Sequence, residues 1–254
     1  MTPSIFVACY GGDTTTGQWG PVGRLDRVPG GYRFLYTRGA QSLPGFVPFA
    51  GMTDLHAIYE SDVLFPLFAN RLLTPSRRQE YEAFLTWGGF DPRGPLDPIA
   101  VLGITEGRRA TDSLELFPCP QRDANGSYVA KFFLHGVRWF SRDAVDRIDR
   151  LQPGESLGLM LDVANRYDAY AVAVRTCDTH ERCMIGYVPR YLAQDVWKLV
   201  GQCGCAPQLT VERINSDAPL QQRVLCRMRA CWPEGFHPCT GEAFEPIADV
   251  ALAV

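Results

Sequence analysis

Residues 159–174 read Leu-Met-Leu-Asp-Val-Ala-Asn-Arg-Tyr-Asp-Ala-Tyr-Ala-Val-Ala-Val, two short apolar runs around a polar centre. Neither run is long enough for an amphipathic helix. Asn165 and Asp168 are turn-forming types whose side chains bond the backbone a residue or two further on. The stretch therefore predicts strand, turn, strand, with strands over 157–161 and 171–175. The same punctuation continues on both sides. Residues 128–133 alternate, and 137–140 continue the apolar signal as a strand. A serine-capped helix is predicted over 141–151, stopped by Pro153-Gly154. A strand over 184–188 is broken by Pro189, and a helix follows over about 191–200. Two more strands are predicted over 209–214 and 224–230. Five or six short strands with two small helices predict a compact β-barrel rather than a sandwich.

The preceding half has a different grammar. Ile5-Phe6-Val7-Ala8, Val22-Gly23-Arg24-Leu25 and the aromatic run Tyr32-Arg33-Phe34-Leu35-Tyr36 read as strands, the last entered through the turn Pro29-Gly30-Gly31. Leu64, Phe65, Phe68, Leu72 and Leu73 recur at helical spacing and predict a helix over 61–73 with Ser61 as N-cap. A second helix is predicted over 76–87, stopped by Gly88-Gly89, and a short third from Pro95 to Gly103. The half closes on a strand over 111–117. Residues 118–127, with two prolines, Asp123, Asn125 and Gly126, read as a linker. The fold class is thus α+β: a small N-terminal sheet with helices over 1–121, a barrel over 128–232, and a C-terminal tail over 233–254.

Composition narrows the function classes. The chain has 254 residues, 46% hydrophobic and 21% charged, with a formal net charge of −3. That mild acidity excludes a polyanion binder that works by bulk charge. The basic excess is local: residues 128–233 hold 14 basic and 11 acidic side chains, against 11 and 13 over 1–127. Lysine occurs only at Lys131 and Lys198 among 25 basic residues, so almost every cation is a planar, multi-donor guanidinium suited to phosphate and to stacking. No apolar run approaches the roughly 20 residues of a membrane span, and the first residues lack a signal-peptide pattern. A cytoplasmic protein without membrane contact is expected, its nine cysteines held as thiols.

Three pieces, in order, carry a resemblance to the HIRAN domain. They are Gly136-Val137-Arg138-Trp139-Phe140, then Leu159-Met160-Leu161-Asp162 through Asn165-Arg166-Tyr167-Asp168 to Ala171-Val172-Ala173-Val174, and Ile185-Gly186-Tyr187-Val188-Pro189-Arg190. The resemblance spans roughly 128–232 and implies an OB-like barrel that binds single-stranded DNA and holds its free 3′ end. It implies a DNA-binding set of Arg138, Trp139, Asn165, Tyr167, Asp168, Tyr187 and Arg190. Chemically, Asp168 suits a terminal hydroxyl, which a phosphate-blocked end cannot offer. Trp139 and Tyr167 suit base stacking, and Arg138 and Arg190 suit phosphate oxygens. Asn165 suits the sugar-phosphate or the turn itself. Trp139 stands where eukaryotic members have tyrosine and Arg190 where they have lysine. Tyr187 falls at a histidine position, while Ala164 and Arg166 replace an asparagine and a proline. The plainer readings stay open: Asn165 and Asp168 as turn formers, Tyr187 as core, and Trp139 facing inward if Phe140 faces out.

The first half resembles the N-terminal subdomain of persistence-type toxin kinases, through Val22-Gly23-Arg24-Leu25, Gly31-Tyr32-Arg33-Phe34, the run from Phe65 to Leu73, Pro95-Leu96 and Asp112-Ser113-Leu114-Glu115-Leu116-Phe117. The resemblance implies a docking surface for a protein partner over 1–121. No phosphate loop with a lysine and no kinase catalytic motif follows it. Hydrolytic groups are thin: His56 with Asp54 and Glu60, or His135 with Asp143, lack a nucleophile at fixed spacing. Cys177, His180 and Cys183, with Cys203 and Cys205, are the best metal candidates but lack a standard zinc knuckle. The expectation is a non-enzymatic protein without cofactor that captures single-stranded DNA or DNA 3′ ends at damaged or stalled replication intermediates. The alternative is a protein–protein regulator docking a kinase or a transcription factor through its first half.

Overall fold

The structure, a computed structural model, describes residues 4–11, 18–109, 111–178, 182–202 and 206–249. In chain order the first elements are β1 (Ser4–Gly11), β2 (Gln18–Val28), β3 (Gly31–Tyr36), α1 (Gly39–Ser42), β4 (Ile58–Ser61), α2 (Pro66–Ala69), α3 (Arg78–Trp87), α4 (Pro98–Thr105) and β5 (Leu114–Pro118). The strands form an antiparallel sheet in the order β4-β3-β2-β1-β5. Its core gathers Val7, Val22, Leu25, Phe34, Phe68 and Leu116. The Tyr36 hydroxyl ties this core to the long loop after α1, donating to Met52 O and accepting from Phe49 N, both at 2.7 Å. The helix predicted over 61–73 is corrected to the single turn α2. Ser61 is not its cap but the end of β4, paired with Tyr32 of β3. The apolar stripe is real; its residues reach the core from a turn, opened by Pro66 at the first helical position.

A close backbone approach fixes α1. A Cβ at Gly39 would lie 1.9 Å from Pro21 O, and the same carbonyl accepts from Thr37 Oγ1 at 3.0 Å. Because the obstacle is hydrogen-bonded backbone, it has no room to yield. Gly39→Ala is expected to cost about 3 kcal/mol or more, read as a lower urea midpoint. Gly201→Ala, where nothing lies within 4 Å, is the control and should be neutral or stabilising. A Gly39→Ala protein within about 1 kcal/mol of wild type would rule out the close approach.

The second set of elements is β6 (Gln121–Arg122), β7 (Tyr128–Phe133), α5 (Arg142–Ile148), β8 (Ser156–Leu161), β9 (Val172–Thr176), β10 (Met184–Tyr187), α6 (Arg190–Gln202), β11 (Gln208–Ile214) and β12 (Val224–Ala230). They give a seven-stranded antiparallel sheet, β10-β9-β8-β11-β12-β7-β6. The α+β class holds, but the predicted barrel is corrected to an open sheet. Among the described residues, one isolated bridge beyond β7, His135 with Tyr187, reaches the far edge strand β10. Gly136, at φ +71°, then turns the chain away. For the same reason 137–140 is not a strand: Val137–Trp139 form one 3-10 turn. On one face of the sheet Lys131 and Arg227 converge on Glu212 at 2.6 and 2.7 Å. Those hydrogen bonds, Arg227's first, hold the Glu212 carboxyl down at about 2 despite its partial burial.

The chain divides into two compact units: the described parts of Met1–Arg78, Pro95–Cys119 and Cys239–Val254, and of Gln79–Gly94 and Pro120–Pro238. Two stretches therefore sit differently from the linear reading. Most of α3 belongs with the second sheet: Trp87 Nε1 donates to Asp217 and its carbonyl accepts from Asn215 Nδ2, each at 3.1 Å. Nor do residues 233–249 hang as a tail. Phe236 packs on Tyr128 with Trp232 in the second unit. Later residues belong to the first, where Arg38 N donates to Glu245 O and Ile247 N to Tyr36 O. Among the described residues no helix is long and apolar enough to cross a membrane.

Candidate functional site

The connection between β8 and β9 is held by its own polar side chains. Asn165 Oδ1 accepts from Tyr167 N at 3.0 Å and Asp168 N at 3.1 Å. Asp168 Oδ1 in turn accepts from Tyr170 N at 2.9 Å. Asp162 N donates to Ala171 O at 2.9 Å, closing the base of the loop. Both turn-forming residues thus act as turn formers, and their bonding leaves the Tyr167 side chain 86% exposed at the loop tip.

Helix α6 meets this loop at its first residue. Arg190 donates from Nη2 to the Tyr167 carbonyl, and its Nε lies 3.4 Å from Asp168 Oδ2. The Asp168 carboxylate is therefore engaged on both oxygens, one by backbone and one by a guanidinium, with 18% of its side chain left exposed. A carboxylate so charge-compensated keeps lone-pair capacity for a hydroxyl donor. At the other end of the loop Tyr170 sets its ring edge-on to Trp197 of α6, centroids 6.1 Å apart.

Tyr187 links the third stretch. Its backbone exchanges hydrogen bonds with His135 at 3.0 and 2.9 Å, and its ring lies beside Gly136 and tilts on Phe140, 5.9 Å between centroids. Its hydroxyl donates to Asp162 Oδ2 at 3.0 Å, the oxygen that also accepts from Asn165 Nδ2 at 3.1 Å. Burial, and then the Asp162 bond, push the Tyr187 phenol above its usual range. Trp139, on the turn after Gly136, is 77% exposed. The Arg138 guanidinium covers its ring at 4.6 Å, a cation–π pair.

All seven candidate residues thus fall on three segments drawn together through Tyr187. Asn165, Tyr167, Asp168 and Arg190 form one hydrogen-bonded group. Tyr187 joins it through Asp162, and Arg138 with Trp139 stands on the adjoining turn. Asp162 was not among the candidates; its place six residues before Asp168, at a strand end, carries the turn signal but none for the tyrosine. The other candidates for chemistry do not assemble in this way. Asp54 Oδ1 accepts from the His56 backbone N, a turn bond, and His135 sets its ring edge-on to Tyr191. Cys177 is exposed and Cys183 half-buried, whereas His180, Cys203 and Cys205 lie outside the described residues.

An antiparallel sheet whose β8–β9 loop, turn after Gly136 and α6 start are joined by hydrogen bonds and ring contacts defines a small β-rich module. Residues 127–229 match the family model of the HIRAN domain, and this part of the chain is a HIRAN domain. Among solved structures, a protein from Lactobacillus plantarum matches at 22% identity, covering 41% of this chain and 99% of its own, with a TM-score of 0.32. The HIRAN domain of human HLTF matches at 16% identity, covering 42% of this chain and 81% of its own, with a TM-score of 0.30. No curated protein matches the chain.

Proposed function

We propose that the HIRAN domain of this chain binds single-stranded DNA at a free 3′ end, as a binding module and not as an enzyme, and so marks damaged or stalled replication intermediates. The reading is carried by one observation: an exposed tyrosine sits beside a carboxylate and a guanidinium that the same loop and helix start hold in place. A 3′ terminus offers matching groups, an open base face, a hydroxyl donor and a nearby phosphate. Tyr167 takes the base, Asp168 the hydroxyl, and Arg190 supports the carboxylate while facing phosphate. Trp139, its other face backed by Arg138, takes a second base. The family match to residues 127–229 supports the same reading.

Fluorescence anisotropy with labelled oligonucleotides tests it. A 3′-hydroxyl end should bind with micromolar affinity, and a 3′-phosphate end about tenfold more weakly, since it lacks the donor and repels Asp168. Two or three phosphate contacts predict a salt slope of about −2 on the double-logarithmic plot. Asp168→Ala should abolish the preference between ends. Equal affinity for hydroxyl, phosphate and abasic ends, unchanged in Asp168→Ala, would defeat end recognition.

A further inference from the structure

We propose that Asp162 is the positioning residue of this site, setting the loop that carries Tyr167 and Asp168 against the strand that carries Tyr187. This rests on the end-binding reading. One oxygen, Oδ2, accepts from the Tyr187 hydroxyl at 3.0 Å and from Asn165 Nδ2 at 3.1 Å. Asn165 passes the constraint on, because its other amide atom accepts from the backbone of both Tyr167 and Asp168. The two backbone donors fix the Oδ1 end of the amide. A carboxylate only accepts, so it takes the NH2 group and holds the amide plane from its other end.

Asp162 can serve as the fixed reference because its own backbone is held elsewhere. Its N–H donates to Ala171 O at the end of the β8–β9 ladder. Tyr187 is likewise anchored by its bridge to His135, one residue before Gly136 and close to Trp139. The single oxygen therefore joins the turn that bears one aromatic face to the loop that bears the other and the carboxylate. What it governs is the placement of the Asp168 carboxylate relative to a stacked terminal base. The effect belongs in discrimination between ends, more than in general affinity for a strand.

The experiment compares wild type, Asp162→Ala, Asp162→Asn and Tyr187→Phe on three probes: a 3′-hydroxyl oligonucleotide, its 3′-phosphate form, and a circular single strand with no end. In Asp162→Ala the ratio of phosphate to hydroxyl Kd should fall about tenfold, the worth of one charge-assisted hydrogen bond, while the circle binds within about threefold of wild type. Asp162→Asn, which keeps an acceptor oxygen, should recover most of the ratio, and Tyr187→Phe should give an intermediate loss. Ring-labelled tyrosine NMR adds a readout of the network: ionisation of Tyr187 should move down in Asp162→Ala. An unchanged ratio in Asp162→Ala overturns the positioning role, as does an equal loss on all three probes, the mark of mere unfolding. A wild type that shows no preference between ends overturns the end-binding reading itself, and the positioning role with it.

Discussion

Asp195→Asn is expected to gain roughly 3 kcal/mol of stability on wild type between pH 5 and pH 8, read by urea unfolding at each pH. Asp195 lies on α6, 4% exposed, and its Oδ2 has no hydrogen-bond partner among the described residues. Burial pushes its carboxyl up to about 7, opposed only in part by the nearby Lys198 charge. The native state thus binds a proton that the unfolded chain releases near its ordinary value of 3.8. Where the folded form holds more protons, stability falls as pH rises. The contribution is intact below about pH 4, declines through the interval up to 7, and stays lost above it. Two of those units lie between pH 5 and the folded value, at about 1.4 kcal/mol each. Asparagine has the same shape and no charge to bury, so its curve is flatter over this range whatever constant cost its amide adds. Parallel pH curves for the two proteins would show that Asp195 is not held as a buried acid.

The polar loop was the most legible part of the molecule, because its residues act locally. Asn165 and Asp168 bond within three positions of themselves, and Ser141 caps α5 by accepting from Ala144 N. Strand positions followed from alternation in the same way. What the sequence could not show is non-local. The stripe from Leu64 to Leu73 has helical spacing, yet pairing of Ser61 with Tyr32, and Pro66 just after, confine the helix to one turn. Closure of the barrel depends on whether β7 continues beyond Phe133, and one glycine at positive φ decides against it. Likewise, nothing in the spacing of Asp162 and Tyr187, 25 positions apart, announces that they share a hydrogen bond. Several residues behind the resemblance of the first half, Val22, Leu25, Phe34, Phe65, Phe68 and Leu116, are core residues of its sheet. Such positions specify packing and carry no chemistry.

Removing both exposed aromatics separates binding from folding more sharply than any other change. In Trp139→Ala/Tyr167→Ala the Kd for a 3′-hydroxyl oligonucleotide should rise at least about thirtyfold, toward the limit of measurement for a micromolar binder. Each base–aromatic stack is worth about 1–3 kcal/mol, and the two residues come from separate segments, so their losses should nearly add. The melting curve should hardly move. Trp139 and Tyr167 are 77% and 86% exposed, and substitutions at such positions stay within about 0.5 kcal/mol of wild type. Trp139→Phe keeps a ring and should retain most of the affinity, although it weakens the Arg138 contact, since tryptophan is the best cation–π partner. Tyr10→Ala, at a 45% exposed aromatic of the first sheet, is the matched control and should bind like wild type. Wild-type affinity in the double variant would mean that the bases lie elsewhere, because no other proposed contact on this patch offers an open aromatic face. Equal weakening by Tyr10→Ala would mean that the aromatics contribute only unspecific adhesion.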